Sequence, residues 1–146
     1  MSLNVAHLAL LHLLFTTALA GVIWTVQLAV YPQFGSVSAE CFRAFHRHYL
    51  RGITWLVTPL MGVEFVTAVA LWWSGVRGPV FLGSLVLLAT IWAITFIVEL
   101  PLHRKLGAGF DRDAHRNLLW ANWARTLAWT ARTVMVGVWF YSLSGW

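Results

Sequence analysis

Four long apolar runs, parted by three short segments that hold most of the polar residues, set the pattern of this chain. They cover residues 5–31, 52–73, 79–100 and 118–143. A helix rises ~1.5 Å per residue, so about 20 residues cross a ~30 Å hydrocarbon core. Each run is long enough. The connections are short, so neighbouring helices must run antiparallel. The pattern therefore predicts an all-α integral membrane fold, one domain of four antiparallel transmembrane helices in a left-handed bundle with ~20° crossings.

Punctuation residues refine these bounds. Tyr31-Pro32 marks the end of the first run, because the residue before proline disfavours helix. Ser36 or Ser38 is placed to cap a helical entry into the second run, out of a loop over residues 33–49. Pro59 removes a donor inside the second run and predicts a kink there. Pro79 suits the first turn of the third helix. Asp111 or Asp113 is placed to cap the fourth, after a polar loop over residues 103–116. Ala18-Leu19-Ala20 before Gly21 has the form of a signal-peptide cleavage site. The start of the chain lacks the matching positive charge and the apolar run continues to Val30, so we read a retained span.

Composition agrees. The chain is 60% hydrophobic and 10% charged, with ten tryptophans, whereas a soluble domain is about 25% charged. Trp72, Trp73, Trp139, Tyr141 and Trp146 fall where an outer interfacial belt is expected, and Tyr31, Tyr49 and Trp120 where an inner one is. Trp24, Trp55, Trp92, Trp123 and Trp129 lie deeper and are expected to pack in the core. Gly21, Gly62, Gly83 and Gly137 fit close helix contacts. The net charge of +5 does not point to nucleic acid, since no stretch interleaves basic and exposed aromatic residues. Arg43, Arg47, Arg51, Arg104, Lys105, Arg112 and Arg116 instead occupy the first and third loops. By the positive-inside rule those loops are cytoplasmic and both termini lie outside the cytoplasm. The compact loops favour a bacterial inner membrane. Cys41 is the only cysteine, which excludes an internal disulfide and a CxxC metal motif.

Against this background the polar residues inside the runs carry the chemistry. Asn122, Arg125 and Arg132 recur at three- and seven-residue offsets, near one helical face. A charge near the bilayer centre costs ~2.5–3.5 kcal/mol on insertion scales, so such groups turn inward and pair. Only Glu64 and Glu99 are available as acidic partners within the apolar runs. Counting from the basic side, Glu64 and Arg132 share a depth near mid-membrane. Glu99, Asn122, Arg125 and Gln27 form a second polar layer nearer the cytoplasm. His103, His46 and His48 lie at its edge. These groups could simply hold four helices in register, since interhelical polar contacts average ~0.6 kcal/mol. They could equally line a functional site.

Glu99 and His103 are four apart and share a face if the helix continues through Pro101. With His48 or His46, and Glu64, they offer carboxylate and imidazole ligands suited to Fe, Mn or Zn. A b-type haem would need facing histidines. His7 and His12 are five apart and point different ways, so a metal ion has the better case. The deep tryptophans could line a pocket for a flat apolar molecule such as a quinone.

Pro101-Leu102-His103-x-x-Leu106, followed by Trp120-x-Asn122-x-x-Arg125, resembles a pattern in anthrone-oxygenase-like proteins, a family of small four-helix membrane proteins. It covers about the last third of the chain. His103 stands where that family more often has asparagine. The resemblance implies an oxygenase acting on an apolar aromatic substrate, with His103, Asn122 and Arg125 as the matching positions. We therefore expect a membrane oxidoreductase or oxygenase. Glu99 or His103 would move a proton, Arg125 would hold an oxyanion, and Gln27, Glu64, Asn122 and Arg132 would shape the pocket. The alternative is a non-enzymatic transporter subunit, for which a homo-oligomer would supply the lumen, or an assembly partner of a larger membrane complex.

Overall fold

The computed structural model describes residues 3–144. They form four helical rods. In the first, α1 (Leu3–Thr25) continues through a wide π turn (Val26–Val30) and a 3-10 turn (Pro32–Ser36). The second is α2 (Ala39–Trp73). In the third, α3 (Pro79–Ala93) runs through another π turn (Ile94–Glu99) into α4 (Leu100–Gly107). The fourth is α5 (Arg112–Ser144). The first three rods are long and apolar enough to cross a membrane. The fourth is as long, with 33 residues, and carries Arg125 and Arg132 buried along its inner face.

The rods outrun the apolar stretches. Most of the loop expected over residues 33–49 is helical, since α2 starts at Ala39. Its first turns are amphipathic, with Phe42 and His46 buried while Arg43 and Arg47 face out. The third loop likewise shrinks to the few residues between Gly107 and Arg112. Ser38 holds the N-cap position of α2 without a capping bond from its side chain. Asp111 does cap α5, its Oδ1 accepting the Ala114 N–H at 2.7 Å.

Proline does not end the first and third rods as expected. Tyr31 N–H reaches back five residues to the Val26 carbonyl at 2.9 Å, and Leu100 N–H reaches back five to Thr95. Each wide turn inserts a residue into the helix. Pro32 and Pro101 then fall in the first turn of the next helical segment, where a missing N–H costs nothing. α2 also stays helical through Pro59, which leaves the Trp55 carbonyl without its usual donor.

Leu118, Asn122, Arg125, Trp129, Arg132, Val136 and Trp139 form the buried stripe of α5, spaced alternately four and three apart, with Ala114 and Thr126 buried beside it. Ala9, His12, Thr16, Leu19 and Ile23 of α1, with Val26 of the π turn, follow the same spacing in the first rod. This 3.5-residue repeat is the pattern of a left-handed supercoil, and α1 and α5 pack closely together. α1 also packs on α2, and α5 on α3 and α4. α2 does not close on α3 in the same way.

Three apolar layers fill the bundle. One centres on Phe34, Phe42, Leu106 and Leu118, one on Leu19, Ile91 and Trp129, and one on Leu71, Phe81, Val136 and Trp139. The polarity is inverted relative to a soluble protein. Arg132 and Glu64 are fully buried, while Trp55 is 83% and Ile97 73% exposed. An apolar outer surface of this extent is suited to lipid. Among the aromatics, Trp129 is core as expected, but Trp55 faces out, and Tyr31 and Trp139 are buried rather than interfacial. Trp146 lies outside the described residues. Of the four glycines, only Gly83 meets a neighbour closely, where a Cβ would sit 2.6 Å from Met135 Cε.

Asp111 also pairs with Lys105 at 2.8 Å. The hydrogen bond from Lys105, then that from the Ala114 N–H, holds its carboxyl below the usual aspartate range. A depressed folded pKa adds stability above the unfolded value, and that stability is lost as pH falls through the folded one. Asp111→Ala should therefore lower the thermal midpoint at pH 7, and the gap from wild type should narrow in acid. Equal midpoints at neutral pH would contradict the capping role.

Candidate functional site

Two polar layers alternate with the apolar ones. In the deeper layer Arg132 Nη2 meets Glu64 Oε1 at 3.2 Å, both side chains fully buried. Thr16 donates to the same Glu64 oxygen at 3.0 Å. Thr67 spends its only proton on the Glu64 carbonyl at 2.9 Å. It must therefore accept from His12 Nδ1, 2.8 Å away. That leaves His12 Nε2 to accept from Arg132 Nη2 at 3.2 Å. The matched depth of Glu64 and Arg132 is thus a contact, and His12 is a member of the cluster that its sequence position did not announce.

Nearer the basic end, Arg125 donates to Glu99 in a buried ion pair. Asn122 Nδ2 donates to Gln27 Oε1 at 2.8 Å. Gln27 and Glu99 both lie on the wide turns, a helical irregularity common at functional sites. Glu99 Oε1, Asn122 Oδ1 and Arg125 Nε are buried without a partner. Such atoms carry a desolvation cost of about 1–3 kcal/mol unless a ligand or water meets them.

Beyond this layer runs a chain of hydrogen bonds. Tyr31 Oη lies 2.9 Å from His103 Nε2, and His103 Nδ1 lies 3.2 Å from His46 Nε2. His115 Nε2 donates to the Tyr31 carbonyl at 2.8 Å. The chain is satisfied in either polarity. Tyr31 can donate to His103 and His103 to His46, or His46 to His103 and His103 to Tyr31.

A cavity of about 610 Å³ sits where α2, in contact with α4 at the basic end, does not close on α3. Its walls are apolar, with Leu19 and Ile23 from α1, Ile53, Val57 and Met61 from α2, and Trp92 and Phe96 opposite. Its polar end gathers Tyr31, Tyr49, Glu99, His103, Arg104 and Arg125. The three residues expected to do chemistry, Glu99, His103 and Arg125, thus share one cavity. Gln27, Glu64, Asn122 and Arg132, expected on its wall, do not line it. Gln27 and Asn122 bond each other, and Glu64 and Arg132 form the separate deeper cluster.

The helix does continue through Pro101, so Glu99 and His103 lie on one rod. His48 is exposed on α2, and it is His46 that meets His103. Among the described residues no three His, Cys, Asp or Glu side chains converge as a metal ion requires. His7 is exposed, and both ring nitrogens of His12 are engaged with Thr67 and Arg132. Sequence reasoning missed Tyr31, Tyr49, His12, Thr16 and Thr67. His12 and Thr16 lie four apart on one face, which was the available signal. Compared with protein-family models, curated proteins and solved structures, the chain matches none.

Removing one partner of a buried ion pair leaves the other uncompensated, at about 3–5 kcal/mol. Arg132→Met should destabilise the protein to unfolding in mixed detergent by an amount of that order. Adding Glu64→Gln should restore most of the loss. A single variant as stable as wild type would contradict the pairing.

Proposed function

We propose that this chain is a membrane oxidoreductase or oxygenase that takes an apolar molecule with an acidic hydroxyl, of the hydroquinone, phenol or enol class, from the bilayer. The observation that carries the reading is the placement of paired, partly unsatisfied Glu99 and Arg125 at one end of an otherwise apolar cavity. Apolar walls select the body of such a molecule, and a few convergent polar groups fix its head. The resemblance of Pro101–Arg125 to anthrone-oxygenase-like proteins points to the same substrate chemistry.

In this reading the head sits against Glu99 and Arg125. Arg125 stabilises the oxyanion left when the hydroxyl is deprotonated, because a fixed guanidinium in a water-poor site needs no reorganisation. Glu99 or the Tyr31–His103 pair accepts the proton. The reversible hydrogen-bond chain then passes it from His103 to His46, beside the exposed Arg43 and Arg47. An ion path through Glu64 has less support, since neither Glu64 nor Arg132 lines this cavity.

The test is conversion of a hydroxyanthrone and dioxygen to the anthraquinone and water by protein in lipid nanodiscs under air, followed by absorbance after subtraction of the spontaneous rate. Arg125→Met should lower turnover by about 10²–10³-fold, and Glu99→Gln and His103→Ala each by roughly 10²-fold. Wild-type turnover in all three variants, or none in the wild type, would overturn the reading.

A further inference from the structure

The cavity is open along its side. Its lip on α2 is Leu50, Thr54, Thr58 and Gly62, at four-residue spacing, and its lip on the third rod is Phe96, Leu100 and Arg104, spaced likewise. Leu50 is half-buried and the other six are exposed. Phe65 packs on Trp92, ring centroids 5.5 Å apart, and closes the deep end. A second cavity, of about 630 Å³, lies beyond that contact. The opening is therefore a slot that faces lipid, with Arg104 at its basic end.

Three polar groups on this slot have no partner in the chain. Among the described residues every other threonine hydroxyl is bonded, most of them to the carbonyl one turn back, whereas Thr54 and Thr58 make no hydrogen bond. A hydroxyl left unpaired against hydrocarbon costs free energy. Arg104 has no carboxylate, because Glu64, Glu99, Asp111 and Asp113 are taken by Arg132, Arg125, Lys105 and Arg116. Glu40, in the first turn of α2, enters no ion pair. An anionic group with further acceptor oxygens would meet all three.

Depth decides which molecule brings it. Arg104 lies four positions beyond Leu100, where the third apolar run ends, so it stands at headgroup level. Thr54 and Thr58 lie two and six positions inside the second run, ~3–9 Å below that boundary at ~1.5 Å per residue. Trp92 lies eight positions inside Leu100, or ~12 Å, within the ~15 Å of one leaflet. From the basic end the slot thus runs from cation to hydroxyls to apolar wall. A glycerophospholipid runs from phosphate to ester carbonyls to acyl chain. Arg51 and Arg47, exposed one and two turns before Thr54, also lack an acidic partner. They favour a headgroup with net negative charge over one that carries an ammonium.

We propose that the slot binds one anionic glycerophospholipid from the leaflet at the basic end. Its phosphate lies on Arg104, its ester carbonyls accept from Thr54 and Thr58, and one acyl chain runs along Val57 and Met61 to Trp92. The chain lies in front of Glu99 and Arg125, so a molecule entering from the bilayer must displace it. The site does not depend on the chemistry proposed for those two residues.

The test is photo-crosslinking of the full chain in phosphatidylcholine nanodiscs doped with a phosphatidylglycerol that carries a diazirine on one acyl chain. Labelled positions are mapped by mass spectrometry. Wild type should label at Val57, Met61 or Trp92, and added unlabelled phosphatidylglycerol should compete where added phosphatidylcholine does not. Arg104→Gln should lower this labelling about tenfold, and Thr54→Val with Thr58→Val several-fold, as loss of charged and neutral hydrogen bonds respectively. Both changes are at exposed positions, so the thermal midpoint in detergent should match wild type. Arg112→Gln removes an exposed arginine that does not line the slot and should leave the labelling unchanged. Labelling confined to outward-facing Trp55 or Val66 would overturn the proposal. So would equal competition by the two lipids, or an equal loss in Arg104→Gln and Arg112→Gln.

Discussion

Two arginines buried on one face of α5 constrain everything else in this bundle. A guanidinium surrounded by lipid or apolar side chains is costly unless a carboxylate meets it. Glu64 of α2 must lie opposite Arg132, and Glu99 must lie opposite Arg125. The two contacts fix the register of α2 and of the third rod against α5. The strict four-and-three spacing of the inner face does the rest, placing each charged residue one layer away from Leu118, Trp129 or Val136. The stack of apolar and polar layers follows from that spacing.

The same constraint leaves the bundle open on one side. α1 and α5 zip together on matched 3.5-residue repeats, and α2 and α3 each pack on one of them. α2 and α3 touch through Phe65 and Trp92 without packing along their length. Between them remain the two cavities that share Trp92, with outward-facing Trp55 and Phe96 on the surrounding surface. The wide turns add a local correction. They rotate the ends of the first and third rods so that Tyr31 and His103 meet, and they bring Gln27 and Glu99 inward.

Much of this was legible in the sequence, because depth follows from counting residues along a helix. The four rods, the Glu64–Arg132 contact and the Glu99–Arg125 layer came from that count and from the cost of an unpaired charge in lipid. The cavity was not legible, since it depends on which pairs of rods stay apart. His12 was opaque for a related reason. A lone histidine in an apolar run looks the same whether it faces lipid or Arg132, and only the α1–α5 register decides. In the sequence His46 reads as loop and Tyr31 as the interfacial end of a helix stopped by Pro32, whereas amphipathic first turns and a π insertion carry the helices through.

The most direct test of this account is an experimental structure of the protein in lipid nanodiscs, at a resolution that shows side chains. The account predicts Arg125 on Glu99, Arg132 on Glu64, and an open cavity between α2 and the third rod that reaches from Tyr31 to Trp92. An arginine turned out toward lipid, or α2 packed flush against α3, would contradict it.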